Sequence, residues 1–391
     1  MSTWFRTCPT KISTDGSHVE IWVSKDSPDD PGRSYEVNVC LGKPIDILSL
    51  KLNVVKDFGA EVSHHRLTRT SMFVSDKTEK VERCPICRSS TVNSRPHVAI
   101  YGGLYHQCSV CSHCFIINVP TPEALEEFYS KDVHFASTYA DKRTTETRVR
   151  QVAMPKLEWV VERFKSLYER EPKSILDVGA GGGHFVYACK QRGMEAQGIE
   201  LSEVSIDFCR KTFGFDLEKI DFMKEWKAFS DVDVITFWGV IDCVPRPTDL
   251  LDAAHKVLSK REDALVVAEV PRWDSLSTAI QSSFPNSVVR HLDPLNHINC
   301  FTDDSLATAF EASGFAPVAA WYFGMDAYEL IMQLSHLLGD RRPIDAARKH
   351  IPVIQNAIDQ ARLSDEIILA GKPVARAGGR GARFHPLGVA G

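Results

Sequence analysis

From residue 174 to 375, short apolar runs alternate with stretches whose apolar residues recur at helical spacing. That is the rhythm of βαβ units, and it predicts a mostly parallel sheet with helices on both faces. The clearest strands are 174–178, 195–201 and 233–240, with a third expected just before Asp221. Upstream, Val152, Leu157, Val160, Val161, Phe164 and Leu167 trace a long helix over 146–170, kinked or restarted at Pro155 and ended before Pro172. Thr121 reads as the N-cap of another helix, with Pro122 at its first position and acidic residues in its first turn. Before that, runs of β-formers at 18–24, 34–41, 47–55 and 71–74 are parted by turn residues such as Pro28, Asp29, Asp30, Pro31 and Gly32. The reading divides the chain into a small β-rich module of unknown role (1–80), a cysteine-rich segment (81–120), a helical linker (121–173), an α/β domain (174–375) and a glycine-bearing tail expected to be disordered (376–391).

Composition removes several classes. At 391 residues with 43% hydrophobic and 25% charged residues, the chain is neither a disulfide-stapled miniprotein nor disordered throughout. Lys plus Arg number 46 against 51 Asp plus Glu, and the net charge of -5 gives no global attraction for phosphate backbones, so nucleic acid is disfavoured as a partner. No run reaches the roughly 18 apolar residues of a membrane span, and the first ten residues lack a signal-peptide core, so a cytoplasmic protein without membrane contact is expected.

Five of the eleven cysteines (Cys84, Cys87, Cys108, Cys111 and Cys114) fall within 31 residues. Cys84-x2-Cys87 and Cys108-x2-Cys111 form two knuckles whose thiolates can converge on Zn²⁺, and a site of four thiolates has no open coordination position, so the metal would be structural. Cys114 could replace a ligand of the second knuckle or remain a spare thiol.

Asp177-Val178-Gly179-Ala180-Gly181-Gly182-Gly183-His184 carries an apolar strand through a glycine turn into a helix. Such a turn brings backbone close to a ligand while the helix start offers unpaired N–H groups. The dinucleotide fingerprint would want glycine where His184 stands, so GxGxG fits better and NAD is disfavoured. Glu200 ends the second strand 23 positions after Asp177, where a carboxylate can clamp ribose hydroxyls.

This loop, Gly198-Ile199-Glu200-Leu201-Ser202 and the segment from Asp233 through Trp238, Gly239 and Asp242 to Pro247 together resemble the class I S-adenosylmethionine (SAM)-dependent methyltransferases. The resemblance implies a Rossmann-like sheet. It places Asp177, Gly179, Gly181 and Gly183 around the methionyl part of SAM, Glu200 and Leu201 at the ribose, Asp221 and Phe222 beside the adenine, and Trp238 and Gly239 near the sulfonium. The cysteine segment resembles the zinc-ribbon leader that precedes some of these enzymes. The segment around Asn296-His297-Ile298-Asn299-Cys300-Phe301-Thr302 resembles that of a small-molecule subfamily, which implies His297 as general base, with His291 as a second candidate in the same pocket. Where that subfamily often has Glu-His, this chain has Asp242-Cys243: a carboxylate is kept and a histidine is lost. The expected function is methyl transfer to a small molecule, such as a sugar, a polysaccharide precursor or a secondary metabolite. The alternatives are an RNA methyltransferase that docks RNA through the ribbon, and a non-catalytic SAM-binding protein. A homodimer is left open.

Overall fold

The computed structural model describes residues 3–7, 17–26, 31–42, 50, 58–125, 142, 144–285, 287 and 291–375. Its strands are β1 (Thr3–Arg6), β2 (His18–Lys25), β3 (Arg33–Leu41), β4 (Thr78–Lys80), β5 (Arg95–Ile100), β6 (Gly103–Gln107), β7 (Cys114–Ile116), β8 (Asn118–Pro120), β9 (Ser174–Val178), β10 (Glu195–Ile199), β11 (Val234–Trp238), β12 (Leu265–Pro271), β13 (Asn299–Cys300), β14 (Phe315–Phe323) and β15 (Glu366–Pro373). The helices that position the site are α1 (Phe58–Met72), α2 (Met154–Tyr168), α3 (His184–Gln191), α4 (Glu203–Phe213), α5 (Phe222–Glu225), α6 (Pro247–Leu258) and α7 (Asp303–Ala312).

Nine strands form one mixed sheet in the order β1-β2-β3-β14-β15-β12-β11-β9-β10. β10, β9, β11 and β12 are parallel, as expected of βαβ units, while β15 runs antiparallel between β12 and β14. Chain order reverses at β9, with β10 on one side and β11 on the other, and a crevice opens at the carboxyl ends of strands where such a reversal occurs. One face carries α2 and α3 over Ile175, Val234, Val267 and Trp321; the other carries α6 and α7 over Leu176, Ile235, Val266 and Phe237. β9, β11 and β12 are buried on both faces, which explains their unbroken apolar runs.

The helix expected over 146–170 is interrupted as Pro155 requires. A five-residue π turn (Val149–Ala153) precedes α2, and Pro155 sits in the first turn of α2, where a missing N–H costs nothing. Thr121 Oγ1 accepts from Ala124 N at 3.3 Å, the expected cap.

Three expectations differ from what is observed. Strands β1–β3 extend the central sheet rather than forming a separate layer, because β3 pairs in parallel with β14. Residues 71–74 are the end of α1 and a bend, not a strand. The third strand reduces to one bridge between Ile199 and Glu218. The expected strand at 47–55, apart from helical Leu50, and the tail at 376–391 lie outside the described residues.

Candidate active site and metal centre

At the mouth of β9 the backbone of Gly179, Gly181 and Gly183 is left-handed, at φ 71°, 52° and 78°. A Cβ on Gly183 would also lie 2.5 Å from Cys209 Sγ on α4, so both conformation and packing demand glycine there. Glu200 braces this loop: one carboxylate oxygen accepts from Gly181 N at 2.8 Å and the other from Leu201 N and Ser202 N at 2.8 and 2.9 Å. Each carboxylate oxygen can accept more than one bond, so lone pairs remain for ribose hydroxyls. Asp177 is 1% exposed and accepts from Thr236 Oγ1 at 2.7 Å. Burial pushes its carboxyl up to about 7, against the pull of the Thr236 bond and the Lys156 charge.

Gly239 follows β11 at φ 66°, and a Cβ built on it meets nothing within 4 Å, so the space beside the strand end is open. Trp238 has Phe185 edge-on at 4.9 Å and the Lys156 ammonium 4.7 Å from its ring centroid; its Nε1 is buried without a partner. Lys156 is itself buried and ion-paired with Glu269, the register neighbour of Trp238. One face of the Trp238 ring is therefore held by a protein cation, leaving the other for the sulfonium. Lys156 was not singled out from the sequence: it sits 113 positions from Glu269, and helix spacing alone gives it no distinction from a surface lysine.

Two of the cofactor candidates are placed otherwise than expected. Phe222 is 3% exposed and packed on Phe229 and Phe237, so it belongs to the core rather than to an open adenine flank. Asp221 caps α5 through Met223 N at 3.1 Å and pairs with Lys224 at 2.8 Å. The exposed apolar side chains at this end are Leu201, at 60%, and Met223, at 39%; the latter was overlooked because it sits in a short polar turn.

Beyond the cofactor loop, Asp242 and His297 meet: Nδ1 of His297 lies 2.8 Å from Oδ2 of the fully buried Asp242. The imidazole is 25% exposed. Burial pushes its pKa down, but the Asp242 hydrogen bond and charge outweigh it and hold the group above its ordinary value. Asp242 Oδ1 and Asn296 Oδ1 are buried without partners. Cys243 joins the two loops by donating its thiol to Asn296 O at 2.8 Å. His291 is not a second base here. Its Nε2 lies 3.0 Å from Arg272 O and 2.9 Å from Thr278 Oγ1, and burial drives its pKa down to about 3, so it is a neutral packing residue.

The two cysteine knuckles are local copies of one another. Cys84 N donates to Ser89 O and Cys108 N to His113 O, both at 2.8 Å; Arg88 N returns to Cys84 O and Ser112 N to Cys108 O, both at 3.1 Å. Arg88 and Ser112 are both left-handed, at φ 60° and 59°. The Sγ atoms of Cys84 and Cys111, and of Cys87 and Cys108, are 3.6 Å apart, and all four lie within 4.8 Å of one another. Tetrahedral Zn–S bonds of about 2.3 Å set sulfurs about 3.8 Å apart, so the four thiolates fit a structural Zn²⁺. Cys114 stands outside this set, in β7, which pairs with β13.

Residues 149–320 match the family described as "Methyltransferase domain", and the match begins inside the stretch read as a linker. No curated protein matches the chain. Among solved structures, a SAM-dependent methyltransferase from Archaeoglobus fulgidus is 22% identical, covering 57% of this chain and 94% of that one at a TM-score of 0.38. The 1,6-didemethyltoxoflavin-N1-methyltransferase of Burkholderia thailandensis is 14% identical over 72% of this chain and all of that one, at a TM-score of 0.41. The plantazolicin methyltransferase BamL is 13% identical over 82% and 100%, at 0.40. The glycine loop, the acidic end of β10 and the family match make residues 149–320 a class I methyltransferase domain, and the chain a SAM-dependent methyltransferase.

Proposed function

We propose that this enzyme methylates a small-molecule acceptor whose reacting group loses a proton to His297. The observation that carries the reading is the 2.8 Å contact between His297 Nδ1 and the buried Asp242 carboxylate. Asp242 fixes the tautomer with the proton on Nδ1, so Nε2 is the basic atom, as a carboxylate partner does for imidazole elsewhere. When bound, SAM supplies an electrophilic methyl carbon, and the protein's task is alignment and proton removal.

The chemistry around the dyad favours an acceptor rich in hydrogen-bond donors. Asp242 Oδ1 and Asn296 Oδ1 are bare acceptors, and the Glu366 carboxyl, raised by burial and by the nearby Glu269, Asp365 and Asp242, adds a third acceptor site. Hydroxyl or amine groups of a sugar or related metabolite would satisfy such atoms. A phosphodiester backbone would meet like charge, which argues against RNA.

The test is an acceptor screen of sugars, nucleotide-linked sugars, small phenols and short RNAs, with SAM turnover as readout, followed by His297→Gln on whichever acceptor reacts. A loss of about 10²–10⁴-fold in kcat with unchanged SAM affinity is expected of a general base. Undiminished kcat would end the base assignment, and methylation of RNA alone would replace the small-molecule reading. SAM binding with no turnover on any acceptor would favour a non-catalytic role.

A further inference from the structure

We infer that the zinc-ribbon segment is the positioning scaffold of the Asp242–His297 pair, with Tyr105 and His113 as positioning residues; this rests on the reading of His297 as the base. Two arms run from the second knuckle to the pair, one to each member. Tyr105, three residues before Cys108 and fully buried, donates its hydroxyl to the backbone oxygen of His297 at 2.8 Å. His113, whose carbonyl accepts from Cys108 N, lies with Nε2 2.9 Å from Asn299 Oδ1. An amide oxygen only accepts, so Nε2 of His113 carries the proton. Asn299 in turn donates its backbone N–H to Asp242 O at 2.9 Å and its side-chain amide to Val244 O at 2.7 Å.

Between the arms the two segments share a sheet. β7 pairs with β13, two residues beyond His297, and Ile116 N donates to Ile298 O at 2.9 Å. The ribbon sheet thus runs β13-β7-β6-β5, and its edge strand comes from the methyltransferase segment that bears the base. A ribbon that only stabilised the chain could dock anywhere on the surface. This one ends its hydrogen-bond network on the backbone of both members of the dyad, where a small displacement moves the reacting geometry.

Tyr105→Phe removes one hydroxyl and keeps the ring. The readout that needs no acceptor is the ring N–H resonance of His297 in histidine-labelled protein, assigned by its disappearance in His297→Gln, with SAM affinity measured by calorimetry on the same samples. The expected result is a shifted or broadened His297 resonance in Tyr105→Phe at unchanged SAM affinity. Once an acceptor is found, Tyr105→Phe should lower kcat in the wild-type background and add nothing in His297→Gln. An unmoved resonance overturns the proposal. So does a kcat loss that adds fully to that of His297→Gln, or a loss of SAM binding, since either marks a general structural role. If His297→Gln keeps full kcat while the resonance still moves, the base reading fails and the scaffold contact stands.

Discussion

A histidine held above its ordinary pKa is protonated where an unperturbed one would already be free, so the Asp242 contact shapes the pH profile as well as the geometry. The base form of His297 exists only above its raised pKa, and kcat/KM should rise through that value and level off. Asp242→Asn keeps the size but removes the charge that opposes burial; the acidic limb should move to lower pH while the plateau falls, because the wrong tautomer is no longer excluded. A limb that stays in place would mean that some other group titrates. Gly183→Ala tests the cofactor loop: a left-handed alanine costs about 1–3 kcal/mol even before its Cβ meets Cys209 Sγ, so lowered thermal stability and weakened SAM binding are expected by calorimetry. These residues could be read in the sequence because each is the sole residue type its task allows: glycine for positive φ, a carboxylate at a strand end, cysteines at knuckle spacing. Lys156 could not, since its role exists only once α2 is laid against β12. Phe222 misled for the opposite reason, because an aromatic beside a capping aspartate looks the same whether it faces ligand or core.

Elements joined across long stretches of chain were the hardest to foresee. The βαβ rhythm showed in period and glycine placement, and Pro155 marked a real interruption, but nothing local in β3 announces that it will pair with β14, some 280 residues later. Helix α1 went unrecognised because its apolar residues are sparse, and it is held by tertiary contacts instead. Arg69 on α1 meets Asp293 through Nε at 3.1 Å and Nη2 at 2.5 Å, with both side chains buried, and Asp293 in turn accepts from the backbone N–H of His297 through its carbonyl at 2.7 Å. Breaking a buried pair leaves an uncompensated charge, so Arg69→Met should destabilise the protein by about 3–5 kcal/mol in denaturant unfolding. Arg69→Met combined with Asp293→Asn should recover part of that loss, whereas a pair of no consequence would leave both variants near wild type. Removing the metal acts on a neighbouring element. A chelator strong enough to take zinc from four thiolates should lower the melting temperature and release one metal per chain, measured by native mass spectrometry beside the thermal scan.

For the molecule as a whole, stability against pH is set by buried groups whose shifts oppose one another. Burial lowers His184 to about 4 and His291 to about 3, so between those values and about 6.5 the folded chain binds fewer protons than the unfolded one, and each histidine makes stability rise with pH. Burial raises Asp177 and Asp359 to about 7, so from about 4 upward the folded chain binds more protons than the unfolded one, and each carboxyl makes stability fall with pH. Two protons stand against two from about 4 to 6.5, and the slopes nearly cancel. Above that the histidine contribution is complete while the carboxyls continue to near 7. His297, raised by Asp242, works in the same direction, since stability gained by a raised histidine is present below its unfolded value and lost as pH climbs through the folded one. The melting temperature should therefore be flat across the mildly acidic range and decline from about pH 6.5 toward 8. Asp177→Asn should weaken that decline, because an amide carries no charge to bury. Bound SAM should weaken it as well if its cationic end lies against Asp177, and binding should then release a proton near pH 7, detectable by calorimetry in buffers of different ionisation enthalpy. A melting temperature that climbs steadily from pH 6.5 to 8 would show that Asp177 is ionised in the folded chain without cofactor, its charge already met by Lys156.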